Sequence, residues 1–219
     1  MQTPSSRHPQ ALPHPQNLER LCQALATLDA VMSPEWDGRF YSFNAAWAGG
    51  QRMASMRDGS GDEFYIVFEA GRAFIKGLAH ERSEAVERYS LEIARAQVPE
   101  VFDECLEEPA FTPEYTSFVL WHTEDASGWS ALDLGLHPHF EGQQSDPDGS
   151  ADLLAILAGA PEQYVEFANW YFEVEVPLEA VQRVYAHEPL SEALVRELNP
   201  ETSLDEIRED LEEIGYPLA

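Results

Sequence analysis

The sequence predicts an α+β protein, and three observations predict it. Strand-like segments fill residues 39–78 and recur over 115–136. Helical periodicity takes over after Pro147. A hydrophobic content of 44% with 11% aromatics is enough for a packed core and lies outside the disordered class. The expected architecture is an antiparallel sheet of about five or six strands packed with helices, followed by a helical C-terminal portion. Residues 1–16, rich in Pro, His, Gln and Ser, read as a disordered leader. Residues 17–219 read as a single α+β domain. The stretch GQQSDPDG at 142–149 is a possible sub-boundary before a helical part over 150–219, and serves equally well as a loop within one domain.

The first helix is expected over 17–32. Asn17 is the N-cap, Leu18, Leu21, Cys22, Leu25 and Leu28 form one apolar stripe, and Pro34 stops it. RFYSFN (39–44) and RMASMR (52–57) read as strands, and DGSG (58–61) as a turn. EFYIVFE (63–69) is apolar on both faces, which marks a central strand covered on both sides. Ala70-Gly71 leads into RAFIKGL (72–78), so these two strands should form an antiparallel hairpin. Helices are expected at 83–95 and 98–107, strands at 115–122 and 129–136, and helices at 150–158, 161–172, 178–187, 191–198 and 203–214. In the last of these Ser203 and Glu206 make a capping box, and Gly215 and Pro217 end the helix.

The charge is unevenly placed. Residues 96–182 contain no Lys or Arg and 18 Asp and Glu, so this segment carries −18 of the net −27. A phosphate backbone binds cationic side chains, so nucleic acid is not the expected ligand, and an anionic membrane surface is disfavoured for the same reason. A basic protein partner or a bound cation is allowed. Apolar runs fall far short of the roughly 18 residues a membrane span needs. The first 16 residues lack the apolar core of a signal peptide. A cytoplasmic location is expected, with Cys22 and Cys105 as buried free thiols. Oligomeric state is not readable.

Four groups of residues could carry chemistry. In HPHFEGQQSDPDGSAD (137–152), His137 and His139 point to one side of an extended segment, and Glu141, Asp146, Asp148 and Asp152 follow. Alternating oxygens and a Gly suit calcium or another divalent cation. The sixth and twelfth positions from Asp146 are Ala151 and Leu157 and do not fit the helix-loop-helix calcium pattern. The plainer role is capping of the next helix by Asp148 or Ser150. Lys76, the single lysine, lies in a strand. There it could be a desolvated base or nucleophile, or it could snorkel or pair with an acid. If 63–69 and 72–78 pair, Asp62 and Glu63 come to the same end as His80 and Glu81, with Asp58 and Ser60 nearby. A carboxylate beside a histidine is the minimum for acid–base work and also an ordinary hairpin end. Of the five tryptophans, Trp36 and Trp47 sit beside Gly and Pro in expected loops and are the interface candidates, while Trp121, Trp129 and Trp170 are assigned mostly to the core.

The runs MASMRDGSGDEFYIVFEAGRAFIKGLAHE (53–81), DPDGSADLL (146–154) and NPETSLDEIREDLEEIGYP (199–217) resemble a group of acidic bacterial proteins of about this length with no assigned function. That resemblance supplies no catalytic residues. In class and charge alone the chain is also similar to bacterial toxin-immunity proteins. The expected function is therefore non-enzymatic: binding of a basic protein partner, with Trp36, Trp47, Asp58, Asp62, Glu63 and His80 as contact residues and no obligatory cofactor. The alternative is a metal-dependent hydrolase using His137, His139, Asp146, Asp148 and Asp152.

Overall fold

In the computed structural model, which describes residues 2–136 and 146–219, a 3-10 turn (Pro9–Ala11) precedes the first α-helix, α1 (Pro15–Met32). Pro15 opens it, as proline's fixed φ suits a first turn, so Asn17 lies inside the helix and is not its N-cap. Strands β1 (Tyr41–Ala48), β2 (Gln51–Arg57), β3 (Glu63–Glu69) and β4 (Arg72–Leu78) follow. Then come α2 (Ser83–Arg88), α3 (Leu91–Arg95), α4 (Asp103–Leu106), β5 (Phe118–His122) and β6 (Ser130–Ala131). The last helices are α5 (Ser150–Leu153), α6 (Pro161–Tyr171), α7 (Leu178–Tyr185), α8 (Glu192–Leu198) and α9 (Arg208–Ile214). The fold is α+β, with a six-stranded antiparallel sheet ordered β1-β2-β3-β4-β5-β6.

Turn chemistry sets the hairpins. Between β3 and β4 only Ala70 and Gly71 intervene, with φ of 46° and 80°. Two successive positive φ values give the twist a two-residue hairpin needs, and they fix the register from Glu63↔Leu78 to Glu69↔Arg72. Phe64, Tyr65, Ile66, Val67 and Phe68 are all buried, so β3 is covered on both faces, as its two-sided apolar pattern predicts. Gly77 pairs with Phe118, and a Cβ there would lie 2.0 Å from the Phe118 ring.

The chain divides into two units. One comprises Met1–Pro15 and Met56–Ala158, the other Gln16–Ser55 and Gly159–Ala219. In the first, Phe64, Ile66, Phe68, Phe74, Phe111, Phe118 and Leu120 make the core. Residues 2–15, expected as a disordered leader, are placed against this unit. Trp129 Nε1 donates to Pro13 O at 2.8 Å, Gln10 Nε2 donates to Trp129 O at 2.6 Å, and Leu12 is buried. Periodicity does not reveal such docking, because the partners lie more than a hundred residues away.

In the second unit α1 is buried almost all round and forms the axis, a pattern proper to a core helix. The C-terminal helices hold it through specific hydrogen bonds. Gln23 donates to Ile214 O (3.2 Å), Asn199 to Val31 O (3.0 Å), and His187 Nε2 lies 2.7 Å from Arg20 O. Arg39 grips Asp210 with both arms, at 2.7 and 2.9 Å. The Glu206 carboxylate accepts from Ser203 N (2.7 Å), one half of the expected capping box, and from Ser203 Oγ (2.8 Å). Helical geometry begins only at Arg208 with Ile207 as N-cap, so this pair closes the turn ahead of α9 and does not cap the helix. Gly215 ends α9 with φ 71°.

Candidate partner-binding site

The hairpin-end residues come together in two separate groups. At the end of β2, Asp58 Oδ1 accepts from Ser60 N (2.8 Å), Gly61 N (3.1 Å) and Asp62 N (3.0 Å), and Ser60 Oγ donates to Oδ2. Partial burial alone would raise the Asp58 pKa. These donors outweigh it and hold the carboxyl below its ordinary range. Asp62 Oδ1 accepts from His80 N (2.8 Å) and lies 2.7 Å from His80 Nδ1. The Asp62 hydrogen bond raises the His80 pKa against some desolvation, helped by the charges of Asp62, Glu81 and Asp58. A histidine biased toward its cationic form is a donor and a charge partner rather than a free base. Glu63 turns the other way. It accepts from Tyr65 Oη at 2.9 Å and faces Lys76 Nζ at 3.7 Å.

Lys76 is buried, and its ammonium is spent on structure. It donates to Phe111 O and to Thr112 O (3.2 Å), tying β4 to a turn in which Thr112 takes φ 48°. Burial pulls its pKa down to about 8 against the opposing pull of Glu63. Near this turn a cavity of about 460 Å³ is lined by Tyr89, Leu91, Leu106, Glu107, Pro113 and Glu114, mixing apolar walls with two carboxylates.

In the acidic loop, His137, His139 and Glu141 lie outside the described residues. The described acids serve the helix that follows. Asp146 accepts from Ala151 N (3.0 Å) and Asp152 N (3.1 Å). Asp148, itself buried, accepts from Ser150 N (3.0 Å) and Ser150 Oγ (2.6 Å) and from Ser6 Oγ. Asp152 pairs with Arg82 at 3.3 Å. Burial raises the Asp146 pKa; the two amides lower it, and nearby Asp148 adds to the rise. Gly149 takes φ 77°, and a Cβ there would meet Ala79 at 2.2 Å, so the loop lies tight on the chain after β4. Among the described residues, no group of three or more His, Cys, Asp and Glu side chains is placed to hold a metal ion.

The tryptophans divide differently from expectation. Trp36, in a short 3-10 turn, is 57% exposed. Trp47 lies in β1 and not in a loop, and is half-buried. Trp121 and Trp129 are buried. Trp170, assigned with them to the core, is instead 75% exposed, the most exposed large apolar side chain described. A signal for this exists in the sequence. Glu162, Glu166 and Trp170 follow at intervals of four along α6, on the face opposite buried Tyr164 and Ala168.

Trp170 belongs to an aromatic platform in the second unit. The Tyr171 ring stacks on Phe167 (5.6 Å between centroids, 9° between planes) and stands edge-on to Phe40 (4.4 Å) and Phe172 (4.8 Å), with Trp170 at 6.3 Å. Tyr171 and Val174 remain exposed. Beneath the platform, fully buried Asp29 of α1 joins its supports. Its Oδ2 accepts from Phe40 N and Tyr41 N, both at 2.8 Å, and its Oδ1 from Tyr164 Oη at 2.8 Å. Burial lifts the Asp29 pKa to about 7, against those three donors and the charge of Arg39. Beyond α6, Glu173 takes a left-handed φ of 55°, and Asn169 Oδ1 accepts from Val176 N at 2.9 Å to pin the turn.

Charge completes the description. Among the described contacts, at least ten of the thirteen basic residues sit in ion pairs with acids of the same chain. Of the seventeen acids of 96–182 that are described, thirteen are exposed. They are shared between the units, Glu100 to Asp152 in the first and Glu162 to Glu179 in the second. No helix among the described residues is long and apolar enough to cross a membrane. Comparison with known proteins finds no matching family model, no similar curated protein and no similar solved structure.

Proposed function

We propose that this chain is a non-catalytic binding protein whose ligand is a basic protein, acting in the cytoplasm as an immunity-type inhibitor. One observation carries the proposal: the chain's cations are mostly consumed in internal ion pairs while the acids of 96–182 are presented to solvent. Such a surface draws in a positively charged partner and repels nucleic acid and anionic lipid. Thirteen exposed acids, of which Glu107 and Asp152 pair with Arg95 and Arg82, also disfavour self-association, since two copies would each bring a net −27.

Of the residues named for a hydrolase, Asp146 and Asp148 accept backbone amides and Asp152 pairs with Arg82, while His137 and His139 lie outside the described residues. The test is capture on the immobilised full chain at low salt, followed by reconstitution with the purified partner. The expected partner is basic, and its affinity should drop at least about tenfold between roughly 50 and 300 mM salt, as screening predicts. Recovery only of acidic or neutral partners, or a salt-independent complex, would overturn the proposal.

A further inference from the structure

The aromatic platform at the end of α6 has features that ordinary folding does not require. A helix C-terminus carries partial negative charge and favours cations in its last turn. α6 has no basic residue there, and Glu173 and Glu175 follow directly, so like charge is added to like. Glu166 stands one turn behind Trp170 on the same helix face. Glu173 is held in a left-handed conformation that costs a non-glycine residue free energy, a kind of strain that clusters at functional sites. Between these carboxylates Trp170, Tyr171 and Val174 are left in water, although the rings below them are locked by stacking and by the Asp29 hydrogen bonds. An exposed Trp170 beside a Tyr171 packed on Phe167 and Phe40, among surplus carboxylates, matches a cation delivered on a flexible stem.

We propose that this platform is the docking surface for an arginine-bearing segment of the basic partner, with a guanidinium laid over Trp170 and Tyr171 and flanked by Glu166, Glu173 and Glu175. The inference rests on the binding function proposed above and names the surface that performs it. Arginine suits the site better than lysine, because its planar guanidinium stacks on indole and phenol faces while still hydrogen-bonding carboxylates. A second copy of this chain is the wrong occupant on charge grounds.

The test uses the full chain and a fluorescein-labelled peptide of alternating arginine and glycine, followed by anisotropy at low salt. Trp170→Ala should weaken binding roughly tenfold, the scale of an exposed aromatic anchor that stacks a cation. Glu173→Gln with Glu175→Gln should weaken it comparably. Glu124→Gln with Asp125→Asn removes the same charge from exposed positions of the other unit and should change it less than about twofold. A lysine-for-arginine peptide should bind more weakly. If the unmodified chain does not bind the arginine peptide, the platform is overturned, while the binding function stands or falls on the capture of a basic partner. If it binds but Trp170→Ala has no effect, or both charge-removing pairs lose equally, the platform is overturned while the function stands. A dimer of the unmodified chain in sedimentation that Trp170→Ala dissolves would assign the platform to a second copy, and would overturn the choice of a basic occupant.

Discussion

Asp29 is a carboxylate with three donors and full burial, and the balance between them makes the second unit sensitive to pH. Its folded pKa, about 7, lies above the ordinary 3.8. The folded state therefore holds this proton more tightly than the unfolded chain. The contribution to stability is fully present below about pH 4, falls as pH rises toward 7, and is constant above that. The whole span is on the order of 4 kcal/mol at about 1.4 kcal/mol per pH unit. Asp29→Asn does not titrate. Denaturation of both proteins across this range should show wild type losing stability relative to the variant as pH rises from 4 to 7. Parallel curves would rule out a raised pKa. Lys76 gives a second expectation. Lys76→Met strands the carbonyls of Phe111 and Thr112 and leaves Glu63 without its cation, which should cost about 2–4 kcal/mol in urea unfolding. A near-neutral effect would show that the turn takes its support elsewhere. The desolvation of Lys76 and its pairing with an acid were among the readings the sequence offered, but its hold on the Phe111 turn was not, and nothing in the sequence singles out Asp29. Their partners, Tyr164 and Phe111, are distant in the chain.

At the scale of elements, local chemistry was legible and tertiary dependence was not. The β3–β4 hairpin falls where turn residues and alternation place it, because Ala70-Gly71 and the apolar runs act within a few residues. β6 shrinks to Ser130–Ala131, and the helix expected over 98–107 breaks into a 3-10 turn and the short α4, because neither has enough local support to propagate. The hairpin-end juxtaposition of Asp62 with His80 follows from the register alone, whereas Trp170, an aromatic on a helix, reads as core although the structure leaves it exposed. Two substitutions test the strands. Ala70 carries a Cβ at φ 46°, so Ala70→Asn or Ala70→Gly should stabilise the chain by about 1 kcal/mol in urea unfolding. A loss of stability would mean that the turn is not of the mirror-image type. Gly77→Ala drives a methyl into the Phe118 ring and should cost about 1–3 kcal/mol or more, because the ring is itself buried.

For the whole molecule, net charge and binding pull in opposite directions, and salt separates them. The base-free run was visible at once in the sequence, but its arrangement was not. It passes through α4, β5, β6, α5, α6 and the start of α7 and is shared by both units, so most of its acids, buried Asp148 excepted, decorate the outsides of elements whose interiors are ordinary core. A folded chain with net −27 crowds like charges that the unfolded chain spreads apart. Added salt screens that repulsion over about 8–10 Å at 0.10–0.15 M. It also weakens the exposed ion pairs, such as Arg95–Glu107 and Arg196–Glu192, but each of these is worth only about 0–1 kcal/mol. The excess acids should dominate, so thermal unfolding should shift upward as salt rises from about 10 to 300 mM. The same salt should weaken the complex with a basic partner. One set of carboxylates would then produce a fold that tightens and an interface that loosens along a single titration. A melting temperature that falls with salt would show that the internal ion pairs outweigh the repulsion, and the surface would lose the uncompensated field on which partner attraction depends.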